Sequence, residues 1–435
     1  MRLAVLVLGG LCLGSAAHAA RIDLGPYVQD VRPDGGIVVW ETDAPVGAEV
    51  IVDTPAGPRR FVSPPATHHE LRISGLPAGR HPYRVVPTDG ESATGELTTA
   101  VTGSQFTFLV YGDNRDGDAH HQRVVERMAQ EHSDLAINTG DLTSDGDVER
   151  LWRRFFAIEA PLLASVPLYP ALGNHEVKHD PAAHHYHRFF ALPGPPSVAD
   201  HERYYAFRYG NAEFIALDSN QSHHHEQARW LQQTLSAAAI DPSIRHLFVY
   251  FHHPPFSNGP ECGSAVEQGA WVPLFERYQV RAVFAGHEHA YQHMERGGVR
   301  YFVTGGGGAP LYGQSQHCPR YDRAALRVYR PEHHYLRVRV AADQVVLDAI
   351  AADGSLMETV RLHEPAPPDP APPPPIPYVA EVQASDPPTT AAALPATMLP
   401  DRPPPHSRGV RALPIVVFAA LGVLILILGL GHRRS

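Results

Sequence analysis

Between residues 105 and 290 short apolar runs alternate with clusters of glycine and polar residues. Phe106-Thr107-Phe108-Leu109-Val110-Tyr111 runs into Gly112-Asp113, and Leu135-Ala136-Ile137-Asn138 into Thr139-Gly140-Asp141. Leu247-Phe248-Val249-Tyr250-Phe251 ends at His252-His253, and Val280-Arg281-Ala282-Val283-Phe284 leads to Gly286-His287-Glu288-His289. Continuous apolar runs bounded in this way read as strands buried on both faces. Leu168-Tyr169-Pro170-Ala171-Leu172 precedes Gly173-Asn174-His175-Glu176. Its proline cannot donate to a ladder, so an edge or irregular segment is predicted there. From His120 to Glu131, Val124, Val125 and Met128 share one face, which predicts a helix crossing between two parallel strands.

The pattern before residue 102 is different. Gly35–Thr42, Ala48–Val52, His68–Ile73 and Tyr83–Pro87 are short strand-like runs broken by glycine and proline. Strands at such intervals predict a separate β-sandwich over 22–101. At the other end, Tyr335–Val340 and Gln344–Asp348 carry strand patterns that close the second domain, 105–352.

Every apolar run of the second domain ends in the same kinds of side chain. In open α/β sheets, functional residues gather outside the carboxyl ends of the strands. Asp113, Asp141, Asn174, His252, His287 and His289 would therefore converge. Carboxylate, amide oxygen and imidazole without thiolate suit Mn, Fe, Zn or Mg, not an iron–sulfur or structural zinc site. A carboxylate bridging two such ions is the arrangement used for in-line attack on phosphorus.

Gly-Asp, Gly-Asp, Gly-Asn-His-Glu, Val-x-x-His and Gly-His-x-His in this order resemble the calcineurin-like metallophosphoesterases. Tyr204–Asn211, Phe214–Asp218, Gln227–Leu231 and Ala285–Tyr291 look most like the purple acid phosphatase branch, and Gly25–Gln29 resembles the start of the fibronectin-like domain that precedes it. The resemblance covers roughly residues 22 to 352. It implies an α/β fold, a four-layer metallophosphoesterase sandwich behind an all-β fibronectin-like domain. It further implies one metal held by Asp113, Asp141 and His289. A second would be held by Asp141, Asn174, His252 and His287, with a nucleophilic hydroxide bridging the pair. His175 would donate to the phosphate or the departing oxygen, with Glu176 orienting it.

Three positions depart from the pattern of the branch or of the wider family. Where its iron-binding tyrosine stands, this chain has Ser144, which disfavours a purple ferric centre and leaves Mn, Zn or ferrous iron. The first motif lacks the Asp-x-His of many relatives and reads Asp113-Asn114-Arg115, so the first metal has three nameable protein ligands. Arg115 is a candidate planar donor to a substrate phosphate. In Gly259-Pro260-Glu261-Cys262-Gly263, Cys262 stands where the branch often has a histidine that assists the leaving group.

The ends of the chain change the picture of location. Residues 1–19 read as a signal peptide, with Arg2, an apolar core and Ala17-His18-Ala19 before the cleavage point. Export predicts that Cys262 and Cys318 are disulfide-bonded. A proline-dominated spacer, 363–411, precedes the uncharged Ala412–Gly431 stretch, long enough to cross a bilayer as a single helix or to serve as a processed sorting segment. The catalytic domain would then sit outside the cytoplasm, in the cell envelope, tethered to the membrane. A formal charge of −10 argues against nucleic acid as a standing partner. Among 28 histidines, His184-His185, His223-His224-His225 and His333-His334, most of them between the strand-end motifs, read as exposed. The sequence thus predicts an exported dinuclear phosphatase acting on phosphate monoesters. A phosphodiesterase or nucleotidase with the same centre, and a surface adhesion or scaffold protein with a degenerate site, are the other readings.

Overall fold

Phe108 marks the centre of the larger domain, because four phenylalanines from two sheets close around it. The structure is a computed structural model and describes residues 19–193 and 202–362. All but Ala19 of the expected signal peptide, the proline-rich spacer and the Ala412–Gly431 segment lie outside the described residues. Among the described residues no helix is long and apolar enough to cross a membrane.

The N-terminal strands are β1 (Ile22–Arg32), β2 (Gly35–Val52), β3 (Arg59–Ile73), β4 (Arg80–Pro87) and β5 (Ala93–Thr98). The domain is all-β, as its pattern predicts. It is built from one five-stranded sheet, because the 18-residue β2 serves both halves. The first half of β2 pairs with β1, and Ala48–Val52 pairs with β4 beyond an irregularity between Glu41 and Val46. Such a bulge lets one strand turn a corner, so the sheet folds over Trp40, Val50, Val85 and Leu97.

The larger domain begins with β6 (Gln105–Tyr111), α1 (Asp118–Met128), β7 (Leu135–Asn138), α2 (Glu149–Leu163), β8 (Leu168–Pro170), α3 (Asn174–Val177) and α4 (His184–Phe189). It continues with β9 (Tyr205–Tyr209), β10 (Ala212–Ala216), α5 (His225–Ile240), β11 (His246–Tyr250), α6 (Ala265–Ala270), α7 (Val272–Arg277) and β12 (Ala282–Ala285). Then follow β13 (Tyr291–Arg296), β14 (Val299–Thr304), α8 (Arg320–Ala325), β15 (Leu326–Arg330), β16 (His334–Ala341), β17 (Gln344–Ala351) and β18 (Leu356–Leu362). One sheet runs β18-β17-β16-β6-β7-β8 and the other β15-β13-β14-β12-β11-β10-β9. The proline-marked β8 is an edge strand of three residues. β18 pairs along β17, so the sheet extends past the expected boundary at 352 to Leu362.

Period-two alternation sets the layers. Phe214, Phe248, Phe284 and Phe302 share a core with Phe108, whose ring lies 5.0 Å from those of Phe214 and Phe248. Their neighbours Ile215, Val249, Val283 and Val303 face the other way, into a core completed by Leu231 and Leu235 of α5 and Leu274 and Phe275 of α7. Val124, Val125 and Met128 of α1 and Trp152, Phe155 and Leu162 of α2 cover the other sheet. The order helix, sheet, sheet, helix follows from these contacts.

Polar anchors join the small domain to this body. Tyr27 donates to the Phe189 carbonyl at 2.6 Å, and Tyr169 on edge strand β8 accepts from the Val31 amide at 3.0 Å. The buried Glu41 of β2 holds Arg153 of α2 at 2.8 Å and Arg188 of α4 at 2.8 Å. Burial works against its charge, but the His68 hydrogen bond and the charges of Arg188 and Arg153 outweigh it, so its carboxyl stays below the usual range. Hydrogen bonds to Glu41 and Glu70 raise the His68 imidazole to about 9 against partial burial. The unfolded value is near ~6.5. A raised folded value stabilises fully below the unfolded one, so this contribution is lost as the pH rises from there through about 9. Wild type should therefore melt above His68→Gln near pH 6 and lose that margin by pH 10. A margin that does not change with pH would contradict the pairing.

Candidate metal centre

Both sheets deliver ligands to one place. Asp113 follows β6, Asp141 follows β7 and Asn174 opens α3 after β8, while His252 follows β11 and His287 and His289 follow β12. Asp113, Asp141 and His287 have left-handed backbones, with φ of 58°, 57° and 69°. Non-glycine residues in that region are held there by their surroundings, and such positions cluster at functional sites. The glycines before the ligands serve close approach. A Cβ on Gly286 would collide with Asp113 Oδ2, and one on Gly173 with Asp141 Oδ1. Either methyl group would push a carboxylate out of the centre.

The carboxylates are fully buried. Asp113 accepts from the His287 amide at 3.0 Å and stands 3.5 Å from His289 Nε2. Asp141 Oδ1 is 3.3 Å from His252 Nε2 and accepts from the His175 amide at 3.1 Å. Asn174 Oδ1 lies 2.9 Å from His252 Nε2, and His287 Nδ1 lies 3.2 Å from the same nitrogen. Burial opposes a charge on Asp141, but His252, His175 and Arg115 outweigh it and hold its carboxyl well below the usual range. The His252 imidazole is pulled up to about 9 because Asp141 more than offsets its burial. Metal uptake would displace that proton, so affinity falls with falling pH.

The hydrogen bonds behind the rings show that these residues fit metal ions. His252 Nδ1 is bound to the Thr139 carbonyl at 3.0 Å and His289 Nδ1 to that of Pro310 at 2.7 Å. A carbonyl requires the N–H on that side, which leaves each Nε2 facing a buried carboxylate. In the metal-free protein a proton on Nε2 lies between ring and carboxylate, and a metal ion would take its place on binding. Ligand atoms of Asp113, Asp141 and His252 lie within 4.8 Å of one another, as do those of His252, His253 and His287.

The structure brings every predicted ligand together and modifies several roles. His175 is held apart from the ligands, with Nδ1 on the Ser144 carbonyl at 2.8 Å and Nε2 3.8 Å from Asp141. Glu176 does not orient it. This buried carboxylate accepts from the amides of Asp141, Thr143 and Gly173, fixing the two loops instead. Its carboxyl is raised to about 7 by burial and by the charge of Asp141. Arg115 lies inside the centre: Nε donates to Asp141 Oδ2 at 3.0 Å, and one terminal nitrogen is 3.5 Å from His289 Nε2. Cys262 is disulfide-bonded to Cys318, the pairing predicted from the sequence, and so is not a thiol donor to a leaving group. His334, expected at the surface, is buried and bonded to Thr304.

Three contributors escaped the motif reading. His253 packs its ring 4.5 Å from His287 and binds Ser219, with burial and then the two neighbouring imidazoles driving its pKa down to about 2. Tyr312 stacks on His289 at 4.0 Å. Glu261, beside the disulfide, accepts from His287 Nε2 at 2.8 Å and thereby turns Nδ1 inward. The first was visible as the second half of the His252-His253 pair. The other two are lone residues on loops, where no local pattern reports a contact.

Fold and site together define a metal-dependent phosphoester hydrolase. The profile of the calcineurin-like phosphoesterase family matches residues 106–291, and this part of the chain is such a domain. Among relatives, Probable purple acid phosphatase 20 of Arabidopsis thaliana is 25% identical over 295 residues, 62% of this chain and 68% of that protein. The uncharacterized protein Rv2577 of Mycobacterium tuberculosis is 30% identical over 248 residues, 50% of this chain but only 44% of its own length. In fold the chain is similar to purple acid phosphatase PPD1 from yellow lupin seeds, with TM-score 0.67 at 14% identity over 77% of this chain and 73% of that one. It is also similar to PhoD, with TM-score 0.59 at 15% identity over 78% and 89%.

Carboxylates behind metal-binding imidazoles typically contribute 10- to 100-fold to affinity. Glu261→Gln should therefore weaken zinc binding by about that factor without lowering the melting temperature of the metal-free protein. Unchanged zinc affinity in calorimetry would show that Glu261 only decorates the rim.

Proposed function

We propose that the chain is an exported phosphatase that hydrolyses phosphate monoesters with two metal ions. The observation that carries this reading is the inward-facing set of Asp113, Asp141, Asn174, His252, His287 and His289, delivered by strand ends of two sheets. Two divalent ions bound there would supply Lewis acidity toward phosphoryl oxygen and a water of lowered pKa. Asp141 lies between the two ligand groups, within reach of His252 on one side and Arg115 on the other. His175, fixed through Nδ1, presents Nε2 to the centre and can donate to a phosphoryl oxygen or to the departing alcohol. Nitrogen and oxygen donors suit Mn, Zn or Fe. Ser144 has no phenol, and Tyr111 and Tyr291 donate to Glu159 and Glu358, which favours a colourless divalent centre over a ferric one.

Location belongs to the same proposal. The Cys262–Cys318 disulfide suits an oxidising compartment, in keeping with the signal peptide read at the N-terminus. The spacer and the Ala412–Gly431 stretch would tether the enzyme to the membrane, with the fibronectin-like domain positioning it.

Protein loaded with Mn(II) or Zn(II) should turn over p-nitrophenyl phosphate much faster than bis(p-nitrophenyl) phosphate. Asp141→Asn should lose metal and turnover together. His175→Ala should keep its metal and lose ~10²–10⁴ in turnover, the usual worth of a positioned proton donor. Faster diester cleavage, or full activity in Asp141→Asn, would contradict the reading.

A further inference from the structure

The two ligand groups differ in what already touches them. Among the described residues, Asn174, His252 and His287 have hydrogen bonds and ion pairs with one another, with the Thr139 carbonyl and with carboxylates. On the other side of Asp141 stands a permanent cation. Arg115 donates through Nε to Asp141 Oδ2 at 3.0 Å and through Nη1 to Asp116 at 2.7 Å, and its Nη2 lies 3.5 Å from His289 Nε2. One edge of the guanidinium thus faces two of the three groups available to the first metal. Its side chain is 15% exposed and that of Asp141 is 1% exposed, so solvent screens the contact little. A guanidinium does not lose its proton at any working pH, so it can yield only by moving. Space for that exists, because Arg115, Asn114, Thr143 and Ser144 line a cavity of about 100 Å³ beside the centre.

We propose that Arg115 is a built-in counter-cation of the first metal position, so that the two positions fill unequally. The position made by Asp141, Asn174, His252 and His287 fills first. The position made by Asp113, Asp141 and His289 fills only as Arg115 releases Asp141 and turns toward Ser144. The inference rests on the two-metal reading above and assigns Arg115 a role in metal loading rather than only in holding substrate. A hydrogen bond to a buried charged group is worth about 10- to 100-fold in an equilibrium constant, which sets the expected gap between the two affinities.

The test is titration of the chelator-stripped, folded protein with Zn(II) by calorimetry, with metal content measured after gel filtration. Wild type should show a tight class of one ion and a second class at least about 10-fold weaker. Arg115→Ala should tighten only the weak class and close most of the gap, and Arg115→Lys, which keeps the charge but not the planar fork, should fall between them. Asp113→Asn should abolish the weak class and spare the tight one, which fixes the side on which Arg115 acts. Two equal sites in wild type, or an Arg115→Ala protein with an unchanged gap, would overturn the inference while leaving the two-metal function intact. Absence of bound zinc from both wild type and Arg115→Ala would overturn the function reading as well.

Discussion

Burying an ionised carboxylate is affordable only where cations and donors surround it, and Asp141 is fully buried. Its oxygens meet His252, Arg115 and the His175 amide, while its own amide is held by Glu176. These groups come from three separate segments, the loop after β6, the loop after β11 and α3. Moving any one of them leaves a buried charge without its partner, so the loops at both sheet ends must keep a common register. The left-handed backbone at Asp113, Asp141 and His287 is the local strain that this register imposes.

That register depends on the core between the sheets. Phe108 and the facing phenylalanines set how the β6 end meets the ends of β11 and β12. The small domain reaches the same region by another route, since Glu41 grips α2 and α4, which flank β8 and the Asn174-bearing α3 in the chain. Packing, interdomain ion pairing and ligand placement are therefore linked through the same few elements.

The strands and ligands were legible in the sequence because each ligand sits beside an apolar run whose period and glycine boundary are local signals. Pro170 marked its edge strand for the same reason. Less legible were features made by contacts distant in sequence. Glu176 looked like a partner of its neighbour His175, but the turn after Gly173 points it at the amides of another loop. Glu261 gained its role from a histidine 26 residues away. His334 looked like surface because two adjacent histidines resemble a polar pair, yet strand alternation turned it inward onto Thr304. The single bent sheet of the small domain was hidden because apolar runs do not report which strand is long enough to serve both halves.

The account's central claim is that two sheets converge on a centre built for metal ions around Asp141. Anomalous diffraction from crystals grown with excess Mn(II) tests it most directly. The account predicts two manganese peaks flanking the Asp141 carboxylate, one against Asn174, His252 and His287 and one against Asp113 and His289. A map with no peak there, or with manganese only at exposed histidines such as His184 and His223, would contradict it.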